Sequence, residues 1–450
     1  MFDLIIIGAG PAGYSAAERA GKAGLSTLLI EKESLGGVCL NEGCIPSKTL
    51  LHSSKLLATA RSSEKFGVSA TGVSFDLATV MARKQKIVDT MRNGISFTLK
   101  KNKIEALAGE AMIRGKADGV FTVSTGDTTY EAKRLLICTG STAVLPPIPG
   151  IDRPLVHTNR EILSVSSIPS QLAIIGAGAI GLEFATFFAE VGSTVSVIEM
   201  LPNIGGMLDK DIGTGLRREL EKKGIRFFME SKATEIGDGT VTFACDGKTQ
   251  TLDAEIVLVS VGRKPVVSGF GIESIGVACE RGSITTDVRG RTNVDGVWAA
   301  GDVNGVSMLA HTAYREAQAC INDMLGRDDA VNYRAIPSVI YTHPEAASVG
   351  LTKEEAAAQG YEAVETRLPM TFNGRYTAET EGERGIIKAV TEAKSGQLLG
   401  MHMLGGHCSE MIFGAAAMIE QNLTADDVSK FVFPHPTVSE IIRDVLAQTL

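Results

Sequence analysis

The sequence predicts an α/β protein in which two doubly wound parallel-sheet units precede a smaller α+β segment, and three observations predict it. Residues 2–31 read as a buried-strand run, the turn Gly8-Ala9-Gly10-Pro11-Ala12-Gly13, a helix of small residues and a second strand ending in Glu31. The same order returns between Gln171 and Glu199, around Gly176-Ala177-Gly178-Ala179-Ile180-Gly181. From Ile336 onward the pattern changes to alternating strands, 386–392 and 398–403, and a helix of small and apolar residues, 411–420.

Composition sets the class. The 450 residues, 44% hydrophobic and 21% charged, leave room for several cores. A net charge of −8 gives no basic footprint for nucleic acid or anionic membrane, and no apolar run is long enough for membrane insertion. The cysteines Cys39, Cys44, Cys138, Cys245, Cys279, Cys320 and Cys408 are odd in number and scattered. That fits a reducing compartment with one special pair, not a secreted disulfide framework. The chain opens almost directly on the strand 4–7, with no signal-like stretch, so a cytoplasmic location is expected.

In the first unit the glycines let backbone amides approach a pyrophosphate at the helix N-terminus. Glu31, about 20 positions on, can accept from a ribose hydroxyl. A tight packing turn would explain the glycines but not Glu31. Residues 45–100 read as helical, with apolar residues at helical spacing over 55–62 and 80–100. The basic run Lys84, Lys86, Arg92, Lys100, Lys101 and Lys103 reads as a solvated face. Residues 104–137 turn β-rich, Cys138-Thr139-Gly140-Ser141 reverses the chain, and Pro146-Pro147-Ile148-Pro149-Gly150 is a linker.

The second unit has strand 171–175, a helix to about Val191, and strand 195–198. Two such units mean two dinucleotides. Glu199 suits a free ribose 2′-hydroxyl and would repel a 2′-phosphate. Met200-Leu201-Pro202-Asn203 offers no arginine, so NAD is expected over NADP. Strand 256–261 and the turn Gly262-Arg263-Lys264-Pro265 close the unit.

The most chemically loaded stretch is Gly36-Gly37-Val38-Cys39-Leu40-Asn41-Glu42-Gly43-Cys44-Ile45-Pro46-Ser47-Lys48. Taken alone, the cysteines fit a redox pair, half of a zinc site with His52, or two unrelated structural thiols. On an ideal helix five residues advance about 7.5 Å. A disulfide needs Cα atoms closer than about 7 Å. A bonded pair on a helix would therefore require a distortion between them, and Gly43 permits one. A helix N-terminus, with Lys48 one turn after Cys44, favours a thiolate there.

Near the end, Pro434 and Pro436 stiffen His435. Thr437-x-x-Glu440 reads as a capping box for the last helix. Residues 292–302 end in Gly301-Asp302, by itself a simple turn, and Trp298 reads as packing.

At Cys39-x4-Cys44-x3-Lys48 behind Gly36-Gly37, at both glycine turns, at 292–302 and at His435-Pro436-Thr437-Val438-Ser439-Glu440, the chain resembles the flavin-dependent pyridine-nucleotide disulfide oxidoreductases. The resemblance covers essentially the whole chain in the family's order. It implies two Rossmann-like dinucleotide-binding domains, one for FAD at 1–145 and 265–335 and one for NAD at 146–264. It also implies an α+β dimerisation domain at 336–450, hence a homodimer. Cys39 would be the interchange sulfur of a redox disulfide and Cys44 the sulfur against the flavin. Lys48, paired with Glu183, would lie near the flavin. His435, oriented by Glu440, would be the acid/base and would reach the disulfide of the other subunit. FAD contacts would come from Gly8, Gly10, Gly13, Glu31, Gly37, Lys48, Ala111, Thr139, Gly140, Ser141, Asp302, Met308, Leu309, Ala310 and His311. Asp302 would bind the ribityl chain, and the helix after His311 would open at Thr312. NAD contacts would come from Gly176, Gly178, Gly181, Glu199, Ala233 and Gly262. No metal is implied.

The resemblance is closest to members that oxidise dihydrolipoamide with NAD, working on the lipoyl domain of a 2-oxo acid dehydrogenase or glycine-cleavage complex. A glutathione-type reductase would want basic residues after Glu199. A large thioredoxin reductase or a mercuric reductase would carry a further cysteine pair at the C-terminus, where this chain has Ala447-Gln448-Thr449-Leu450. A non-catalytic redox-sensing flavoprotein would have no need of His435 and Glu440. Two departures stand out. Glu42 lies between the cysteines, where its charge would disfavour a thiolate if it faced them, so it is expected to point away. Phe433 stands where many such members have another histidine.

Overall fold

Leu4–Ile7 is buried at every position, as a strand covered on both faces must be. The computed structural model describes residues 1–206, 208–380 and 382–449 and divides into two units. The first comprises Met1–Thr49, Met81–Val144 and Gly262–Val331. The second takes in Leu50–Val80, Leu145–Val261 and the chain from Asn332 onward.

In the first unit Leu4–Ile7 is the centre of a five-stranded parallel sheet, in the order Val297–Ala299, Leu135–Ile137, Leu4–Ile7, Thr27–Glu31, Glu105–Ala108. The helix Pro11–Lys22 buries Ala12, Gly13, Ala16, Ala17 and Ala20, and these small side chains let it lie close to the helix Ala310–Met324. Leu4, Ile6, Leu29 and Leu136 fill the core on that side; Ile5, Ile7, Leu28 and Ile137 fill the other, against the antiparallel sheet Ala111–Ala117, Val120–Thr125, Thr128–Ala132. Trp298 packs in the first core and also donates from Nε1 to Asp323 at 3.0 Å.

The second unit repeats the plan with a parallel sheet in the order Arg226–Phe228, Thr194–Ile198, Gln171–Ile175, Ile256–Val259, Val156–His157. Its helix Ala179–Val191 is buried almost all round, through Leu182, Phe184, Phe187 and Phe188 among others. The C-terminal segment adds an antiparallel sheet in the order Ser338–Ile340, Glu345–Gly350, Leu398–Gly405, Ile386–Glu392, Ala363–Pro369. No helix among the described residues is long and apolar enough to cross a membrane.

Several local expectations need correction. Leu398–Gly405 is buried at all eight positions rather than alternating, because the helices Cys408–Glu420 and Lys210–Lys222 both pack on this sheet. Arg263–Pro265 is not a turn closing the second unit. It is a strand paired antiparallel with Ser141–Ala143 in the first. Lys84 is buried, and Arg92 donates to Asn41, so the basic run is not simply a solvated face. The helix expected from Thr312 starts at Ala310. Only half of the Thr437 capping box forms: Glu440 accepts the Thr437 N–H at 2.9 Å, while the Thr437 hydroxyl donates to the Pro434 carbonyl.

Candidate active site

Cys39 and Cys44 form a disulfide with Cα atoms 4.8 Å apart. That spacing is far shorter than five helical residues allow, and the backbone shows why. One helix, Gly37–Glu42, stops at Gly43, which leaves helical geometry at φ −146° and ψ −111°; a new helix, Cys44–Arg61, starts at the next residue. A Cβ on residue 43 would lie 3.1 Å from the Val38 carbonyl oxygen and 3.3 Å from the Cys39 Cα, a tight fit that glycine avoids. Cys44 thus opens a helix, where the dipole favours a thiolate, and Lys48 follows one turn on. With both sulfurs bonded, neither serves a zinc ion, and no group of three or more His, Cys, Asp or Glu among the described residues could hold a metal.

Sequence reasoning missed what holds this hairpin of helices. Asn41 Nδ2 donates to the carbonyls of Leu35 (3.1 Å) and Gly37 (2.8 Å), and its Oδ1 accepts from Arg92 Nε (3.1 Å) and Nη2 (2.6 Å). Asn41 stands two residues after Cys39, but its partner Arg92 is 51 positions away. Burial pushes the Arg263 guanidinium down, and the nearby carboxylates of Asp302 and Glu42 oppose that shift. The Glu42 charge is therefore offset by a cation in the same unit.

Both glycine turns build the same cradle. Gly10 and Gly178 stand at the N-caps of their helices without a side-chain cap, which leaves the first-turn N–H groups for an anion. At φ +60°, Gly37 approaches Gly10 so closely that a Cβ on it would lie 2.6 Å from the Gly10 Cα. The uncapped helix N-termini at Gly10 and Gly178 fit a dinucleotide pyrophosphate. Glu31 Oε2 accepts the Ala9 N–H at 2.6 Å and Oε1 the Glu33 N–H at 2.8 Å. Glu199 does the same with Ala177 (2.6 Å) and Leu201 (2.8 Å). Each acid is fixed at the end of its strand, beside the glycine turn.

The remaining expected cofactor residues of the first unit sit as follows. Thr139 Oγ1 donates to the Val266 carbonyl at 2.7 Å, and the Val266 N–H returns to Gly140 at 2.9 Å. Ser141 Oγ donates to Asp302 Oδ2 at 2.5 Å and accepts from Arg263 Nε at 2.7 Å. Ala111 is buried in its strand, and Met308 to Ala310 are half-buried ahead of an exposed His311. In the second unit Gly181 lies on the first turn of its helix, Ala233 is buried in Lys232–Ile236, and Gly262 follows the sheet at the unit boundary. Glu183, 6% exposed, accepts the Tyr341 N–H at 3.2 Å. Lys48 belongs to the first unit and Glu183 to the second.

His435 and Glu440 meet in the second unit. His435 Nδ1 lies 3.0 and 3.2 Å from the two Glu440 oxygens, and the imidazole side chain is 81% exposed while that of Glu440 is 10% exposed. The Thr437 N–H, with the His435 side chain, holds the Glu440 carboxyl below the usual glutamate range. Arg443 bridges toward Phe433: it lies 3.7 Å from Glu440 and 5.9 Å from the centre of the Phe433 ring. A solvent-facing imidazole backed by a fixed carboxylate can accept a proton from an incoming thiol.

Residues 2–317 match the family profile described as pyridine nucleotide-disulphide oxidoreductase, and residues 336–446 match its dimerisation domain. A dihydrolipoyl dehydrogenase of Rhizobium etli is 36% identical, covering 99% of this chain and 97% of its own. Dihydrolipoyl dehydrogenase 3 of Pseudomonas aeruginosa is 39% identical, covering 98% and 96%. The HOCl-induced flavoprotein disulfide reductase RclA of Escherichia coli, solved as a Cu(II) complex, superposes with a TM-score of 0.87 at 27% identity, over 99% of each chain.

Proposed function

The chain belongs to the pyridine nucleotide-disulphide oxidoreductase family, and from that premise we propose that it is an enzyme that oxidises dihydrolipoamide to lipoamide with reduction of NAD. The observation that carries the reading is the Cys39–Cys44 disulfide, set in a chain that aligns with dihydrolipoyl dehydrogenases over nearly its full length.

FAD and NAD are its cofactors; the flavin supplies a two-electron relay from the reduced cysteine pair to the nicotinamide. Gly8, Gly10, Gly13, Glu31, Gly37 and Asp302 would hold FAD, and Gly176, Gly178, Gly181 and Glu199 would hold NAD. The domain limits follow this assignment: FAD at 1–145 and 265–335, NAD at 146–264, and the dimer-forming segment at 336–450.

The thiol chemistry needs only this chain's residues. His435 Nε2 takes a proton from one substrate thiol, while Nδ1 stays on Glu440. The substrate thiolate attacks Cys39 Sγ; the new S–S bond forms as the Cys39–Cys44 bond breaks, and Cys44 leaves as a thiolate. The second substrate sulfur attacks the first and passes its proton to Cys39, which leaves as a thiol while the first proton stays on His435 and Cys44 stays a thiolate. That closes the lipoamide disulfide and releases Cys39. Two electrons and the dithiol state have passed from substrate to the cysteine pair. Lys48, with Glu183, is assigned to the flavin side of the pair. His435 serves the disulfide of a second copy of the chain, so the working form is a homodimer.

The partner implied is a lipoyl domain on another chain of a 2-oxo acid dehydrogenase or glycine-cleavage complex. The unpaired Cys138, Cys245, Cys279, Cys320 and Cys408 support a reducing compartment, the cytoplasm.

Turnover of the FAD-loaded protein tests the reading, with dihydrolipoamide and NAD or NADP, and with glutathione disulfide and either reduced cofactor. Rapid NAD reduction, lost in Cys44→Ser, is expected. Turnover of another disulfide without dihydrolipoamide activity would leave the family standing and sink the substrate.

A further inference from the structure

Asp302 opens the 3-10 turn Asp302–Asn304 behind Gly301. An aspartate so placed is prone to fold back and cap the N–H groups of its own turn. Here the turn's N–H groups are engaged by backbone, Asn304 N–H with the Gly301 carbonyl at 3.0 Å and Gly305 N–H with the Asp302 carbonyl at 3.1 Å, and a second carboxylate holds the turn at its two ends. Glu316, on the helix Ala310–Met324 and 2% exposed, accepts the Gly301 N–H at 2.6 Å and the Asn304 side-chain amide at 2.8 Å. Asn304 in turn accepts the Val306 N–H at 3.0 Å. From the opposite side Ser141 Oγ donates to Asp302 Oδ2 at 2.5 Å. Ser141 is itself fixed by Arg263, whose Nε reaches its hydroxyl and whose Nη2 reaches its carbonyl, each at 2.7 Å. Asp302 Oδ1 has no protein hydrogen-bond partner among the described residues.

Burying a carboxylate is costly unless its hydrogen bonds repay the lost hydration. A turn needing only to be closed could be satisfied by neutral groups. Two hydrogen bonds to the buried Glu316 carboxyl instead fix the turn from behind, and the Asp302 side chain keeps a quarter of its surface exposed.

We propose that Glu316 is a positioning residue for the dinucleotide of the first unit: by holding Gly301 and Asn304 it keeps Asp302 Oδ1 available to a polyol hydroxyl, the ribityl chain of FAD. This rests on the FAD assignment above.

The test is FAD binding by reconstituted apoprotein, followed by flavin fluorescence and the visible circular dichroism of bound flavin. NAD binding and the melting temperature of the apoprotein are measured alongside. In Glu316→Gln the single amide oxygen can accept from only one of the two donors, and its NH2 faces the other. The expected result is FAD affinity weakened about 10- to 100-fold, with NAD binding unchanged and apoprotein melting lowered by no more than a few degrees. Adding Asn304→Asp gives that NH2 an acceptor and should restore both affinity and the dichroism. Unchanged FAD affinity in Glu316→Gln overturns the proposal. So does a loss of FAD affinity that tracks a loss of apoprotein stability and is not rescued in the double variant, since that marks a purely structural role. A wild-type protein that binds no FAD overturns the cofactor assignment itself and the proposal with it.

Discussion

Glu440 binds His435 Nδ1 through both oxygens, at 3.0 and 3.2 Å, and is held in turn by the Thr437 N–H at 2.9 Å. The carboxylate thus fixes the ring so that Nε2 is the nitrogen offered outward. His435→Gln removes the proposed proton acceptor and should lower kcat/KM for dihydrolipoamide by about 10²- to 10⁴-fold. Glu440→Gln keeps the ring but loosens it, and a smaller loss, about tenfold, is expected. Steady-state kinetics of the two variants decide it; equal losses would show that Glu440 does more than orient.

A side chain on Gly43 would press on the Val38 carbonyl and the Cys39 backbone at 3.1–3.3 Å. Gly43→Ala should cost about 1–3 kcal/mol, the usual range for overpacking. The melting temperature should fall, and the Cys39–Cys44 pair should re-form more slowly after reduction in a thiol titration. Wild-type behaviour on both counts would mean that the fold-back tolerates a methyl group.

Glu199 is fixed by the N–H groups of Ala177 and Leu201, directly after a strand of the second parallel sheet. In the proposed NAD site its charge would accept from a ribose diol and repel a phosphate. Glu199→Gln should raise the KM for NAD about tenfold and narrow the NAD-to-NADP preference. A preference that does not move would put the discrimination elsewhere.

Glu190 sets an acid limit on stability. It accepts from Ser54 Oγ at 2.6 Å and Lys223 Nζ at 2.8 Å and lies 3.0 Å from His343 Nδ1. Burial pushes its carboxyl up, but His343 and Lys223 outweigh burial and hold it at about 2, against an ordinary 4.5. A depressed acid stabilises the fold fully above its unfolded value. The stabilisation, on the order of 3 kcal/mol, should drain away as pH falls from about 4.5 through about 2. Melting temperature against pH checks this: Glu190→Gln should flatten the slope in that window.

Lys388 is 3% exposed and bonded to Asp209, Asp211 and Glu365 at 2.8–3.0 Å. Burial pushes its ammonium down, and the three carboxylates more than reverse that. Lys388→Met strands a buried Asp209 and should cost about 3–5 kcal/mol in urea unfolding. An unchanged midpoint would show that water reaches the cluster.

How much of this was legible follows chain distance. The two strand-turn-helix-strand units were readable because period and glycine spacing are local, and Glu31 ends its strand while Glu199 directly follows the strand Thr194–Ile198. The possibility of a break at Gly43 was readable from helix geometry, whereas the cysteine pairing came through the family resemblance. The braces were not legible. Arg92 meets Asn41 from 51 residues away, Arg263 meets Ser141 from 122, and His343 meets Glu190 from 153. No local spacing carries such pairings. Leu398–Gly405 misled for a related reason: its second face is covered by a helix almost 180 residues earlier in the chain, Lys210–Lys222.

The interruption at Gly43 leaves the two cysteines on separate short helices, each with its own hydrogen bonds, and Asn41 ties the first to its surroundings. Opening or closing the bond between the sulfurs then asks only for rotation about the cysteine side chains. Neither helix has to wind or unwind as electrons come and go. The pair is therefore expected to cycle with little movement of the backbone that houses it.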